Sequence, residues 1–167
     1  MPILSPDAIE FISRSPEQTC RVGARLGMLL AGGDVIALEG NLGAGKTVLA
    51  QGIGIGWGAT TALISPTFIL IRRHTRNQDD GYFYHIDLYR IASLAEGEDL
   101  GLTELLGDPG AVCVVEWAQR ATDLFPAETL WVTLRVLDEQ RRSLTFRANG
   151  DRHHAIQERL RKELAGY

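Results

Sequence analysis

The sequence predicts an α/β fold in which helices flank a mixed, mostly parallel central sheet. Three observations carry that expectation. A short apolar run, Val35-Ile36-Ala37-Leu38, is followed by a glycine-rich loop and then by a helical stretch from Lys46. A second run, Ala111 to Val115, lacks the alternation of a strand with one wet face, so both of its faces are covered. Late in the chain, Leu130 to Leu137 and Ser143 to Arg147 flank a polar turn at Glu139-Gln140 and read as a hairpin adding antiparallel strands to one edge.

The remaining elements follow in order. Ile9, Phe11 and Ile12 suit a short edge strand. Ser15 can cap a helix, Pro16 fits its first position and Gln18 can close a capping box. Val22, Leu26, Leu29 and Leu30 then keep helical spacing until Gly32-Gly33. Glycines 52, 54, 56 and 58 do not form a dinucleotide fingerprint and are expected to break the helix that starts at Lys46. Phe68 to Arg72 reads as a strand, Asn77 to Gly81 as a turn and Tyr82 to Leu88 as a returning strand. Glu96 to Leu106 reads as one short helix. Asp151 to Leu164 reads as a surface helix with Ile156, Leu160 and Leu164 on one face.

Composition sets the class. The 167 residues carry a net charge of −4, with 45% hydrophobic and 23% charged residues, which fits one globular domain over 1–167 and excludes intrinsic disorder. The longest apolar run, Leu26 to Ala31, is far short of the ~20 residues that span a bilayer. Asp7 and Glu10 argue against a secretory signal, and Cys20 and Cys113 against a disulfide framework. These features predict a soluble, cytoplasmic protein without membrane partners. Asp79 to Asp108 holds eight acids and one base, whereas Arg135 to Glu163 holds eight bases and five acids. Such asymmetry can orient a protein on a partner, and the net acidity argues against autonomous nucleic-acid binding.

Gly40-Asn41-Leu42-Gly43-Ala44-Gly45-Lys46-Thr47 matches G-x-x-x-x-G-K-[ST], with the buried strand before it and helix after it that this motif requires. Glycines let successive N–H groups turn toward phosphate oxygens, and the helix N-terminus adds unpaired donors and a favourable dipole. Lys46 supplies a compact charge for β- and γ-phosphates, and Thr47 a hydroxyl for Mg²⁺. The chain has fifteen arginines and only one other lysine, Lys162, so a lysine at this point is informative. The motif predicts a P-loop NTPase fold that binds a nucleoside triphosphate with Mg²⁺.

Two acids close apolar strands: Asp87 after Tyr82-Phe83-Tyr84-His85-Ile86, and Glu116 after Val112-Cys113-Val114-Val115. Ligands bind beyond the carboxyl ends of strands in open parallel sheets, so each acid is a candidate to hold Mg²⁺ or to orient the attacking water. Thr67, in Ser65-Pro66-Thr67, suits either a γ-phosphate sensor or an ordinary proline turn. His85 reads as a core histidine, His153-His154 lack metal-ligand partners, and both cysteines read as small core hydrophobes.

Together, Glu17-Gln18-Thr19, the Gly40 to Thr47 loop, Ser65-Pro66-Thr67-Phe68, His85-Ile86-Asp87-Leu88-Tyr89-Arg90, Glu116-Trp117 and Arg142 resemble one family closely. It is TsaE, small bacterial P-loop ATPases of tRNA threonylcarbamoyladenosine synthesis, and the resemblance runs from about Ser15 to Phe146. It implies an ATP-binding, slowly hydrolysing component that supports turnover by TsaB and TsaD and meets tRNA only through that complex. It also implies that Leu42, Gly43, Ala44, Gly45, Lys46 and Thr47 wrap the phosphates, and that Thr47 and Glu116 are the Mg²⁺ ligands. Asp87 would be the catalytic or switch acid and Thr67 a switch residue. Thr19 and Arg142 would lie toward the adenosine, with Arg141 the neighbouring alternative, and Trp117 close enough to report on the nucleotide. Asn41 stands where the family more often has aspartate, and Arg72-Arg73-His74 lacks its usual tyrosine.

Two other classes fit a phosphate loop. A small-molecule kinase would need an arginine-bearing lid, whereas the arginines here are spread along the late hairpin and tail. A nucleotide-gated binding module would bind without purposeful hydrolysis. No Asn-Lys-x-Asp segment for reading guanine is present.

Overall fold

β2 (Val35–Glu39) lies inside a seven-stranded sheet of order β1-β7-β6-β2-β5-β4-β3 in the computed structural model, which describes residues 7–64 and 70–166. Its neighbours β5 (Ala111–Glu116) and β6 (Leu130–Val136) both run parallel to it. β4 (Tyr82–Asp87) extends the parallel array beyond β5, and β3 (Ile71–His74) pairs antiparallel at that edge. On the other side β7 (Arg142–Arg147) forms the late hairpin with β6, and β1 (Ala8–Ser13) is the edge strand. β1, β6, β2, β5 and β4 therefore point one way, and β7 and β3 the other.

Strand alternation builds two cores. Ile36, Leu38, Val112, Val114, Leu130 and Val132 face α1 (Pro16–Gly27), α2 (Lys46–Trp57) and α5 (Asp151–Leu164). Val35, Ala37, Cys113, Val115 and Trp131 face α3 (Leu94–Asp99), α4 (Leu102–Leu106) and the short 3-10 turns of Ala118–Leu124. Continuous apolar sequence in β2 and β5 is thus the mark of a sheet covered on both faces.

Local chemistry sets the start of α1. Ser15 Oγ accepts from Gln18 N, Pro16 occupies the first turn, and Gln18 Oε1 accepts from Arg14 N at 2.7 Å. Glycines 52, 54 and 56 correct the reading from sequence, because α2 runs through them to Trp57 and ends only at Gly58, at φ +98°. Their reason is a neighbour. A Cβ at Gly52 would collide with the carbonyl oxygen of Cys20, and one at Gly56 with that of Ala24. Across the contact, a Cβ at Gly23 would lie 2.5 Å from Leu49 O, and one at Gly27 would strike Ile53 O. The two helices touch backbone to backbone, which outweighs the roughly 1 kcal/mol that each helical glycine costs relative to alanine.

Two further departures are local. The helical stretch expected from Glu96 to Leu106 is divided at Gly101, which adopts φ +75° between α3 and α4. The strand expected at Phe68 to Arg72 is seen as β3 from Ile71, and its first residues lie outside the described ones.

A buried ion-pair hub joins α5 to the sheet. Asp34, 4% exposed, accepts from Ala31 N at 2.8 Å and from Arg152 Nη2 at 2.9 Å, with His153 Nε2 at 3.5 Å. Burial alone would raise the Asp34 pKa, but the nearby His153 ring and the hydrogen bonds from Arg152 and Ala31 N hold it below the ordinary carboxylate value.

Candidate functional site

The glycine loop turns at the carboxyl end of β2. Gly43 (φ +79°) and Gly45 (φ +102°) sit in left-handed conformations that side chains disfavour, and the turn delivers the chain into α2 at Lys46. Lys46, 5% exposed, lies beneath the loop, its Nζ donating to Gly40 O at 2.7 Å and Asn41 O at 2.8 Å. Burial lowers the Lys46 pKa, opposed by the nearby Glu116 and Asp87 charges.

β4 and β5 carry the two acids to the same end of the sheet, where Asp87 and Glu116 are register partners. Glu116 is 2% exposed, and both carboxylate oxygens are engaged. Oε1 accepts from Thr47 Oγ1 at 2.6 Å, and Oε2 pairs with His85 Nε2 at 2.6 Å. Asp87 Oδ1 accepts from Tyr89 N at 2.9 Å. Burial raises the Asp87 pKa; the Tyr89 N–H opposes this and Glu116 adds to it.

Trp117 follows Glu116 at φ +57°, the one non-glycine residue with positive φ among those described. That bend lays its ring over Lys46, with Nζ 4.0 Å from the ring centre. Tyr89 packs on Trp117 at 4.9 Å, and the Arg120 guanidinium lies 5.2 Å and 5.3 Å from the two rings.

Lys46, Thr47, Asp87, Tyr89, Glu116 and Trp117 border a cleft of about 420 Å³. Leu42, Gly43, Gly45, Lys46, Thr47, Asp87, Glu116 and Trp117, all singled out from sequence, line it. Ala44 is buried inside the loop. Arg142 reaches the loop from β7, with Nη2 donating to Gly43 O at 3.3 Å, whereas Arg141 turns away to Asp138 at 2.6 Å. Thr19 is placed apart from these groups: it is 2% exposed, its hydroxyl pairs with Ser13 Oγ at 2.7 Å, and it is not among the residues lining this cleft. Packing of α1 against β1 takes that side chain inward. Thr67 lies outside the described residues.

Sequence reasoning missed Tyr89, Arg90 and Leu70 in the cleft wall, and His85 behind it. For His85 a signal existed, since it shares strand parity with Asp87 and so projects from the same face of β4. Chemically, the loop and α2 N-terminus offer N–H donors and a cation for polyphosphate. Thr47 and Glu116 offer two hard oxygens, the donor type that suits Mg²⁺ alongside phosphate oxygens and water. No group of three or more His, Cys, Asp or Glu side chains among the described residues could hold a metal unaided.

Comparison with known proteins bears on the same residues. The model of the family "Threonylcarbamoyl adenosine biosynthesis protein TsaE" matches residues 13–144. A tRNA threonylcarbamoyladenosine biosynthesis protein TsaE from Treponema pallidum is 39% identical over 134 residues, covering 80% of this chain and 96% of that protein. The TsaE protein of Bacillus subtilis is 38% identical over 148 residues, covering 87% and 89%. A crystal structure of Bacillus subtilis YdiB superposes with a TM-score of 0.72 at 29% identity, covering 93% of this chain and 95% of that one. The loop, the two strand-end acids and the following tryptophan all fall inside the matched segment, and the chain belongs to the TsaE family.

Proposed function

We propose that this chain binds ATP with Mg²⁺ in the cleft and hydrolyses it slowly, serving tRNA threonylcarbamoyladenosine synthesis beside TsaB and TsaD. One observation carries the reading: Lys46, Thr47, Glu116 and Asp87 converge at the carboxyl ends of three parallel strands, on a loop shaped for phosphate.

Each residue then has a task. Loop N–H groups receive the phosphate oxygens, and Lys46 moves its ammonium from the carbonyls of Gly40 and Asn41 to the β- and γ-phosphates. Thr47 and Glu116 hold the cation. When bound, Mg²⁺ neutralises charge on the phosphate oxygens. Asp87 orients the attacking water and accepts its proton, a role suited to a carboxylate whose basicity burial has increased. Trp117 and Tyr89 wall the cleft against bulk water.

The partner reading rests on charge and family. The acid-rich stretch from Asp79 to Asp108 contains Asp87 and borders the cleft, so it repels tRNA phosphates while a protein partner there can sense nucleotide state. No helix among the described residues is long and apolar enough to cross a membrane, in keeping with work in the cytoplasm.

Phosphate release from Mg²⁺-ATP, with and without TsaB and TsaD, tests the proposal. Turnover that needs no small acceptor, and falls about 10²- to 10³-fold in a folded Lys46→Ala variant, is expected. A kinase would require an acceptor and a binding module would show no turnover; either result overturns the reading.

A further inference from the structure

His85 lies outside the cleft lining, yet it makes one of the shortest polar contacts of the site. Its ring is fully buried, and Nε2 is 2.6 Å from Glu116 Oε2. The other ring nitrogen, Nδ1, is buried without a hydrogen-bond partner among the described residues. A proton on Nδ1 would be a buried donor with no acceptor, so the neutral ring carries it on Nε2 and donates to the carboxylate. Glu116 is thereby held from two sides, by His85 at Oε2 and by Thr47 at Oε1.

We propose that His85 is the positioning residue of the cation site: it fixes the Glu116 carboxylate so that Oε1, and not Oε2, is presented with the Thr47 hydroxyl. This rests on the Mg²⁺ reading above. The argument is geometric. A glutamate carboxylate rotates freely about its last torsion, and an oxygen that can swing away is a poor ligand for a cation demanding near-ideal octahedral geometry. Pinning the far oxygen removes that freedom. Parallel register aligns His85 with Val114 and Asp87 with Glu116, so the imidazole reaches from β4 to β5 from the pair two residues behind, on the same face of the sheet. Partners that orient a metal ligand in this way typically carry ~10–100-fold of metal affinity.

Two variants of similar polarity and different reach make the test. In His85→Gln the amide nitrogen extends to about the place of Nε2 and can still donate to Glu116; in His85→Asn it stops near Nδ1 and cannot. Calorimetric titration with ADP, in EDTA and at graded Mg²⁺, separates nucleotide affinity from cation requirement, and Mn²⁺ paramagnetic resonance reads the cation directly. Affinity for ADP in EDTA is expected to match wild type in both variants. His85→Asn should need at least ~10-fold more Mg²⁺, and His85→Gln should stay near wild type. Equal Mg²⁺ requirements for Asn and Gln overturn the proposal. So does a His85→Asn variant that loses ADP affinity equally with and without Mg²⁺, since that marks a merely structural histidine. Should His85→Asn not fold, His85→Gln decides: a Mg²⁺ requirement raised as far as in Glu116→Ala overturns the proposal, and one near wild type supports it. Wild-type protein whose ADP binding ignores Mg²⁺ would overturn the cation reading and this inference together.

Discussion

Lys46 Nζ sits 4.0 Å from the centre of the Trp117 ring while donating to two carbonyls of its own loop. On the proposed function, phosphate would compete with both carbonyls for that ammonium and so disturb the ring–cation contact. Tryptophan emission is therefore expected to change on titration with ATP, and the change should vanish in Trp117→Phe, because Trp57 is far down α2 from the loop and Trp131, near the start of β6, does not line the cleft. Fluorescence titration of both proteins checks this; an unaltered response in Trp117→Phe would assign the signal elsewhere.

The two strand-end acids should fail differently. Glu116→Ala removes the proposed cation ligand and leaves Thr47 and His85 without their shared acceptor, so nucleotide binding should lose at least ~10-fold in its Mg²⁺ sensitivity. Asp87→Asn keeps shape and the bond from Tyr89 N but loses the charge proposed to accept the proton of the attacking water. It should retain Mg²⁺-ATP affinity and lose roughly 10²- to 10⁴-fold in turnover. Binding and phosphate release measured side by side check both, and the opposite pattern would exchange the two roles.

Asp34 supplies a pH-dependent share of stability. Its folded pKa lies below the ordinary value, so its contribution is complete above the unfolded pKa of about 4 and is lost as pH falls through the folded one. Asp34→Asn should destabilise the protein by about 1–3 kcal/mol at pH 7, and the gap to wild type should close progressively below pH ~4. Thermal melts across pH 2.5–7, on the order of 2–4 °C per kcal/mol for a chain of this size, check the trend. A gap that persists unchanged through acid would point to packing rather than charge.

Gly52→Ala and Gly56→Ala should reverse the usual sign of a helix substitution. Alanine favours an exposed helix by roughly 1 kcal/mol, but here the new methyl meets a backbone carbonyl of α1, and overpacking of that kind costs about 1–3 kcal/mol. Gly54→Ala meets only the Leu63 side chain, which can rotate away, and should be milder. Denaturant unfolding of the three variants ranks them, and a stabilised Gly52→Ala would contradict the close helix contact.

What the sequence makes legible here is chemistry carried by neighbours in the chain. Ser15, Pro16 and Gln18 announce the start of α1, and Gly40 to Thr47 announce the loop, since cap and cradle are each built within a few residues. The glycines of α2 mislead because their partners, Cys20 and Ala24, belong to another helix, and no local pattern distinguishes a packing glycine from a breaking one. For His85, strand parity with Asp87 gives the face but not the partner. Its partner lies 31 residues away, and only the parallel register of β4 and β5 makes them neighbours. Thr19 shows another non-local effect: the packing of α1 on β1 pairs its hydroxyl with Ser13, which no neighbouring residue announces.

The glycine seam between α1 and α2 has a mechanical side. With backbone against backbone, neither helix can roll or slide alone without collision, so the pair moves as one rigid strut. α2 begins at Lys46, and α1 runs to Gly27, a few residues ahead of the Asp34–Arg152 hub. At 1.5 Å of rise per residue the strut is roughly 18 Å long. A shift at the start of α2 would therefore be shared by both helices rather than taken up by α2 alone, and the exposed Met28 lies just past the far end of α1.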